Sequence, residues 1–589
     1  MIELLQNPAL LLLLGAMLMG VLPRLIRGWA FLLFPALSLV FLWTLPDGYS
    51  FRIPFAGYDL VLFQLDALSR IFGTIFSIVG IVGGIYALHN QDRTQQINAL
   101  LYAAGALGVT LAGDYFTLFI YWELMAVSST YLIWARRNRE SDAAGMRYLM
   151  MHFMGGGILF AGILLHISET GSTSLSAFPY EFSPASLLIL LGISVNAAVP
   201  PLHAWLSDGY PKATITGAVF MSALTTKSAI YLMIRLYPGW ELLVIVGLVM
   251  ALYGAVLALI ADDIREILAF SIISQLGYMV TAVGIGSEMA INGAATHAFS
   301  HILYKSLLFM AAGGLIYATG RSRLSELGGL ASKMKLVLIL YMVGGASISG
   351  VPLFNGFISK SMIISAAGEA HYDWAMLSLM LASLGSFLHT GLKLPYFAWI
   401  APAGSAKDQT GSVAATSRNG SGEPEVKPIP WNMNLAMILG AGLCILFGVY
   451  PFLLYSQLPF ASSYNPFTLY HVVETIQLLV PGFFVFWLLK GWLAEKRSIT
   501  LDFDWFYRKP LLRLANGLLF LVGGIFGWCA DAIADLAANL SRAFENPMKW
   551  LNPFRAHGFE SNSYSPAMGT AMGFVLFVFV VLGLFLVLN

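Results

Sequence analysis

The chain has 589 residues, of which 58% are hydrophobic and 11% charged, with a mean hydropathy of +0.75 and a formal net charge of +1. A soluble domain carries about one quarter charged residues, so a water-soluble globular protein is excluded, and a near-neutral balance offers nucleic acid no electrostatic footing. The two cysteines, Cys444 and Cys529, lie far apart in apolar runs and can build neither a disulfide framework nor a Cys-based metal site.

Apolar runs long enough to cross a bilayer recur along almost the whole length. They predict spans at 8–23, 29–45, 65–88, 98–112, 114–134, 148–167, 186–206, 213–237, 241–260, 266–284, 291–319, 336–366, 374–399, 431–451, 471–490, 510–530 and 568–588. The fold class is therefore all-α, a polytopic integral membrane protein with about 16 or 17 transmembrane helices. The first span follows an acidic start and ends on Arg24 and Arg27. That is the reverse of a signal peptide, so it reads as an uncleaved helix. With that first loop taken as cytoplasmic, alternate loops collect Arg93, Arg136, Arg137, Arg139, Arg147, Lys212, Arg265, Arg321, Arg323, Lys333 and Lys335, while the opposite loops up to residue 500 hold almost only Arg52. The positive-inside rule then places the N-terminus outside, in a multi-pass protein of a prokaryotic plasma (inner) membrane.

Four regions are expected. Residues 1–90 hold N-terminal helices. Residues 91–400 form a core of two repeats, at about 98–237 and 241–400. Residues 401–430 are polar, rich in Gly, Ser and Ala, and read as a cytoplasmic loop. Residues 431–589 hold C-terminal helices, with an amphipathic segment at 531–557 expected to lie along the membrane or on a neighbouring protein of the same complex.

Two spans carry breakers near their middle. The first, in SVNAAVPPLHAWL, has Asn196, Pro200 and Pro201, followed by His203. The second, in VGGASISGVPLFNGFISK, has Gly350, Pro352 and Gly356, followed by Lys360. Proline removes a backbone donor and clashes with the preceding turn. Unwound backbone at membrane depth survives only where protein buries it or where it lines a wet cavity. Paired interrupted helices suggest an internal inverted repeat, with the ion site at the breaks.

Titratable residues inside spans are expensive and mark ion pathways. Glu123, in IYWELM, sits far from either end of its span and needs a cation or a proton. Lys227, flanked by Thr225, Thr226 and Ser228, sits near the middle of its own span. His297, His301 and Lys305 are spaced four and four, which keeps them on one helix face over about 12 Å of axis. Three proton-carrying groups in line make a relay. The His pair could be half of a metal site, but no third ligand accompanies it and no metal is expected. His389 and Lys393 lie in FLHTGLKLPY; snorkelling to the interface is the plain alternative for Lys393. For His203 the alternative is a packed, hydrogen-bonded core histidine. His152 and His166 read as structural or interfacial. Asp262, Asp263, Arg265 and Glu266 read as charges at the membrane boundary.

These motifs resemble a family: the antiporter-like membrane subunits of respiratory complex I and of Mrp-type cation/proton antiporters, found also in membrane-bound hydrogenases. The resemblance covers roughly residues 60–400. It is carried by YWE at 121–123, PLHAWL at 201–206, TKSAIY at 226–231, DDIREILAFSIISQLGYM at 262–279, HAFSHILYKSLLF at 297–309 and GVPLFNGFISK at 350–360. It implies two inverted repeats, each with a broken helix, and a hydrated polar axis across the membrane. It also implies that Glu123 is the glutamate of a glutamate–lysine pair, that Lys227 and Lys360 sit at positions where some members carry lysine, and that His297, His301 and Lys305 form a central relay. The chain departs from the pattern just before the first break, where the family usually carries a lysine partner for the glutamate and this chain has Asn196.

The sequence thus reads as a proton-translocating subunit of a multisubunit complex, working through Glu123, Lys227, His297, His301, Lys305, Lys360 and Lys393. Asn196, Pro200, Pro201, His203, Pro352 and His389 support the breaks. Its partners are other membrane subunits, the lipid bilayer and protons, with sodium as the second candidate ion and nucleic acid excluded. No nucleotide, flavin or iron–sulfur motif is present, so no cofactor and no catalytic site of its own are expected; any redox drive belongs to another subunit. The alternatives are a stand-alone transporter of a small solute and a non-conducting structural subunit. Protons are preferred to sodium because the buried set is mainly Lys and His, which repel cations, whereas a hard cation wants several oxygens. Since Asn cannot titrate, Lys227 is expected to be the working lysine of the first half, with Asn196 holding freed backbone or a water.

Overall fold

The structure, a computed structural model, describes residues 6–55, 57–402, 426–491, 493, 502–545, 577, 578 and 580. Contacts divide the chain into two units, Met1–Thr500 and Leu501–Asn589.

The first unit opens with α1 (Pro8–Met19), capped by the Asn7 side chain, and α2 (Arg24–Thr44). An antiparallel hairpin follows, β1 (Ser50–Phe55) and β2 (Tyr58–Gln64). The sequence reading leaves this stretch as a plain connection. Its alternating aromatic and β-branched residues make it a hairpin instead. Then come α3 (Ala67–Ala87), α4 (Arg93–Leu111), α5 (Tyr115–Trp134), α6 (Arg139–Thr170), α7 (Pro184–Asn196), α8 (Ala204–Lys212), α9 (Ile215–Ala223), α10 (Thr225–Leu236), α11 (Leu242–Ile260), α12 (Ile264–Ile285) and α13 (Glu288–Thr319). After them lie α14 (Lys335–Ser349), α15 (Asn355–Glu369) and α16 (Asp373–Ser386), which runs on in π-helical turns at Phe387–Lys393 and Tyr396–Ile400. The unit ends with α17 (Trp431–Val449) and α18 (Leu469–Leu489).

Among the described residues twelve helices are long and apolar enough to cross a bilayer, and α1, α7 and α14 are shorter apolar helices. The all-α, multi-pass class follows. Four of the missing spans have a physical cause: 186–206 and 336–366 are split into short halves, 8–23 forms only the 12-residue α1, and 98–112 lies in α4, whose first turns are polar. The predicted span 568–588 lies almost wholly outside the described residues, as do 403–425 of the polar loop and 546–557 of the amphipathic segment. In the second unit, the rest of that segment does not form a helix of its own. It continues the preceding span as one helix, α19 (Leu512–Glu545), about 51 Å long at 1.5 Å per residue.

The centre of the first unit is α13. It is buried on every side over almost its whole length, the mark of an enclosed helix, and it packs against α3, α9, α10, α12, α14, α15 and α17. Close packing is set by glycine on the neighbouring pair. A Cβ on Gly247 or Gly254 of α11, or on Gly277 or Gly284 of α12, would lie 2.4 Å from a backbone nitrogen of the facing helix.

Three helices break inside the first unit. The α7–α8 break covers residues 197–203, with Ala198 at φ +55° and the Pro200–Pro201 pair in it. The Trp205 indole donates to the freed Val195 carbonyl at 2.8 Å. The α14–α15 break turns on Gly350 at φ +77° and Leu353 at φ +75°; glycine takes the left-handed conformation without strain. Both breaks are where the sequence places them. The third, between α9 and α10 at Leu224, has no proline or glycine to announce it. Leu224 sits at φ −97°, ψ −71°, and the orphaned backbone groups find side-chain partners. The Tyr210 hydroxyl donates to the Met221 carbonyl at 2.6 Å, and the Thr225 amide donates to the Tyr102 hydroxyl at 3.1 Å. The Ser222 carbonyl accepts from the Lys227 ammonium at 2.6 Å.

The charges at 262–266 are not simply boundary charges, as the sequence suggests. Asp262 and Arg265 are buried. Arg265 donates to the Ala213 carbonyl at 2.8 Å, and Asp262 accepts from the Ser325 amide at 3.0 Å. They tie α12 to the α8–α9 connection and to the loop after α13.

Just before α3, Asp66 pairs with Arg235 of α10 at 2.7 Å and caps Ser69. Burial pushes the Asp66 carboxyl up, but Arg235 and Ser69 outweigh it and hold it below the usual carboxylate value. A depressed carboxyl stabilises the fold above its unfolded value of about 3.9 and loses that contribution as pH falls through the native value. The group is partly exposed, so the pair is worth no more than about 1 kcal/mol. Asp66→Asn is expected to flatten the acid side of the thermal-stability profile by that amount and to leave the neutral side offset. An unchanged acid limb in a melting series would refute it.

Candidate functional site

Lys227, His297, His301, Lys305, Lys360, His389 and Lys393 are all buried. Each ammonium is satisfied in a different way. Lys227 caps the carbonyl freed at the α9–α10 break. Lys360, one turn into α15, does the same at the α14–α15 break, donating to the Ile348 carbonyl at 2.7 Å and to Ser383 Oγ of α16 at 3.2 Å. Lys305 donates to Ser271 Oγ of α12. In two places, therefore, an ammonium stands where a backbone amide would stand in an unbroken helix. Such a hydrogen bond to a carbonyl does not neutralise the charge, and neither ammonium pairs with a carboxylate among the described residues.

The α13 face is a ladder. The His297 and His301 rings are 6.2 Å apart, and the His301 and Tyr304 rings 5.2 Å. His297 Nδ1 bonds Ser359 Oγ of α15 at 2.9 Å, one residue before Lys360. Tyr278 of α12 bridges the two: its ring is 5.6 Å from His297, and the Lys360 ammonium stands 5.0 Å over it. Neither His301 nitrogen has a hydrogen-bond partner among the described residues. Among the described residues no third His, Cys, Asp or Glu joins His297 and His301 in a metal-sized cluster.

Facing the ladder is a polar stripe on α12 at Ser271, Gln275 and Tyr278, at helical spacing. The Tyr304 hydroxyl donates to Gln275 Oε1 at 3.2 Å, and Gln275 Nε2 donates to Ser386 Oγ of α16 at 3.0 Å. Ser383 and Ser386 lead along α16 to His389, whose Nδ1 bonds Thr390 Oγ1 at 2.7 Å. The π-helical turns there widen the helix around His389 and Lys393. Lys393 does not snorkel. Its ammonium donates to the Leu259 and Ala261 carbonyls at 2.5 and 3.1 Å, capping the negative end of α11.

The first half is arranged differently. Glu123 of α5 is half-buried, and its Oε1 has no partner among the described residues. It lies against Gly156 of α6, where an added Cβ would be 1.9 Å from Oε1. Asn196, the last residue of α7, does not hold freed backbone. Its Oδ1 bonds His152 Nδ1 at 2.7 Å. His203 stands at the start of α8 without a side-chain capping bond, its ring edge-on to Tyr253 of α11 at 5.0 Å. Pro200, Pro201 and Pro352 lie in the breaks themselves.

Sequence reasoning missed Ser271, Gln275, Tyr278, Tyr304, Ser359 and Ser383, which are uncharged. The available signal was their period: polar residues at 271, 275 and 278, at helical spacing within a mostly apolar span. It also set His152 aside as structural.

The chain is similar to known proteins in sequence and in fold. Residues 112–387 match the family described as NADH:quinone oxidoreductase/Mrp antiporter, transmembrane. The chain is 28% identical over 537 residues to a Na(+)/H(+) antiporter subunit of Alkalihalophilus pseudofirmus, covering 80% of this chain and 65% of the relative. It is 31% identical over 342 residues to a probable K(+)/H(+) antiporter subunit of Rhizobium meliloti, covering 54% of this chain and 34% of that protein. The chain thus spans about two thirds of the first relative and about one third of the second. Among solved structures, a chain of the Mrp complex from Dietzia sp. superposes with a TM-score of 0.69 at 24% identity, over 81% of this chain and 99% of that one. A chain of an archaeal membrane-bound sulfane sulfur reductase superposes with a TM-score of 0.70 at 24% identity, over 98% of this chain and all of that one. Over residues 112–387 the chain is thus similar to the transmembrane domain of the NADH:quinone oxidoreductase/Mrp antiporter family, and it shares the fold of the membrane subunits it superposes on.

Proposed function

We propose that the chain is a proton-translocating subunit of a multisubunit cation/proton antiporter-type complex in a prokaryotic plasma membrane, with its N-terminus outside. The observation that supports this most is the buried ladder on α13, enclosed by helices and joined by polar contacts to Lys360 and to α16. Lys227, Lys305 and Lys360 are buried with no carboxylate partner among the described residues, which is costly to stability, and proton exchange is the function that repays them. Lys305, His301 and His297 carry the proton along α13. Tyr278, Ser359 and Lys360 receive it at the second break, and Ser383, Ser386 and His389 continue along α16. Glu123 and Lys227 serve the first half. The core is two inverted repeats, at about 98–237 and 241–400, and Lys393 anchors α16 against α11 in the second. Other membrane subunits complete the complex and supply any redox drive.

The test is the whole complex reconstituted in vesicles with an entrapped pH dye. A sodium or potassium gradient is expected to drive proton movement, and Lys305 or Lys360 variants to remove it. Cation-driven flux that survives loss of both lysines would overturn the reading.

One variant probes the carboxylate directly. Gly156→Ala places a methyl 1.9 Å from Glu123 Oε1. The clash is with the free end of a flexible side chain, so assembly is expected to survive while the carboxylate moves and flux falls about tenfold, equivalent to about 1.4 kcal/mol. Glu123→Asp, one methylene shorter, is expected to restore part of the flux in that background. Full flux in Gly156→Ala alone would show that the position of the carboxylate does not matter.

A further inference from the structure

One face of α6 carries Tyr148, His152 and Gly156, each four residues from the next. Tyr148 bonds Ser129 of α5 at 2.9 Å. Gly156 admits the Glu123 carboxylate, also from α5. Between them stands His152, which bonds Asn196 of α7 at 2.7 Å. Residues four apart on a helix are neighbours at about 6 Å, so Glu123 and His152 stand one turn apart along α6.

Two further facts define the chemistry. Bonding of His152 Nδ1 to the Asn196 oxygen makes Nδ1 the donor, which leaves Nε2 as the basic nitrogen of the neutral ring. That Nε2 is buried without a partner among the described residues, and so is Glu123 Oε1. A packed structural histidine satisfies both nitrogens or exposes one. The Glu123 carboxylate lies against Gly156, one turn along the same face of α6 from His152. The ring is also held between Tyr148 at 4.2 Å and Trp205 at 4.5 Å. Aromatic faces stabilise a nearby cation, which offsets part of the cost of charging the buried ring, and the Asn196 oxygen accepts a hydrogen bond from its Nδ1.

We infer that His152 is the proton-exchanging partner of Glu123, with Asn196 as its positioning residue. The inference rests on the proton-translocating reading above. In the step, the Glu123 carboxyl O–H bond breaks and an N–H bond forms at His152 Nε2, directly or through one water. A carboxylate and an imidazolium result, so charge is conserved within the pair. The reverse transfer resets it. In this half the switching pair is carboxylate–imidazole, and Lys227 is held by the Ser222 carbonyl.

The test uses the intact complex in vesicles, with assembly read on the same samples. His152→Gln keeps volume and a hydrogen bond to Asn196 but cannot titrate, and is expected to lower proton flux at least tenfold. His152→Asn serves in its place if the glutamine variant does not assemble. Adding Asn196→Lys supplies an ammonium beside the same site, and the double variant is expected to regain flux. A purely structural histidine would not be rescued by a lysine on the next helix. Wild-type flux in His152→Gln, or an assembled double variant no better than the single, overturns the inference while Lys305→Ala remains inactive. Absence of flux in the unaltered complex would instead count against the function itself.

Discussion

Lys305→Ala is expected to reduce proton flux to background while the complex still assembles. The ammonium is buried on α13, and its described hydrogen bond is to a serine hydroxyl on α12. A buried charge paired only with a neutral group costs stability. Its removal therefore relieves a penalty of the same order as the contacts it forfeits, and the fold has little to lose. Ser271 is not orphaned either, since its hydroxyl also donates to the Leu268 carbonyl at 2.9 Å. The ladder, by contrast, loses its end: His301, one turn away, has no hydrogen-bond partner among the described residues, so Lys305 is the next titratable group on its face. Lys305→Arg separates charge from titration. Arginine keeps the positive charge but does not release its proton in proteins, so it is expected to be as inactive as alanine. Flux in the arginine variant would mean that the charge of Lys305 matters and its proton does not.

Much of this was legible in the sequence because the membrane makes charge conspicuous. Glu123, Lys227, Lys305 and Lys360 stand out in apolar spans, and prolines and glycines at 200, 201, 350 and 352 announce two of the breaks. The spacing of four and four placed His297, His301 and Lys305 on one face without any structure. What stayed hidden was uncharged or reciprocal. The Leu224 break leaves no mark in composition, because it is stabilised from outside by Tyr102, Tyr210 and Lys227 rather than by a residue that cannot be helical. Gln275, Tyr278 and Ser359 join the ladder through partners on other helices, which periodicity alone does not supply. His152 looks like any histidine on a long span until α7 is laid beside it. The hairpin at 50–64 and the continuity of α19 were missed for a different reason: span-by-span reading looks for membrane-length runs and does not weigh short strands or helices that outrun the bilayer.

Lys227→Ala and Asn196→Ala divide the first half of the chain between two roles. Lys227 is enclosed by a helix that packs on α12 and α13, and its ammonium replaces the amide missing from the Ser222 carbonyl. Alanine there removes a titratable group and a backbone cap together. Transport is expected to be lost, and the orphaned carbonyl costs about 1–3 kcal/mol of stability. Lys227→Gln can still donate to the carbonyl but cannot exchange a proton. It is expected to recover the stability and not the flux, which assigns each loss to its cause. Asn196→Ala removes a group that cannot titrate but orients one that does, through the 2.7 Å bond to His152. Its imidazole remains between Tyr148 and Trp205, less well aimed. Part of the flux is therefore expected to survive, reduced severalfold. An inactive Asn196→Ala beside an active Lys227→Ala would reverse the assignment, making the end of α7 the conducting element and Lys227 a cap. Two active variants would mean that neither residue is needed for the proton to cross the first half, leaving Glu123 and His152 to carry it.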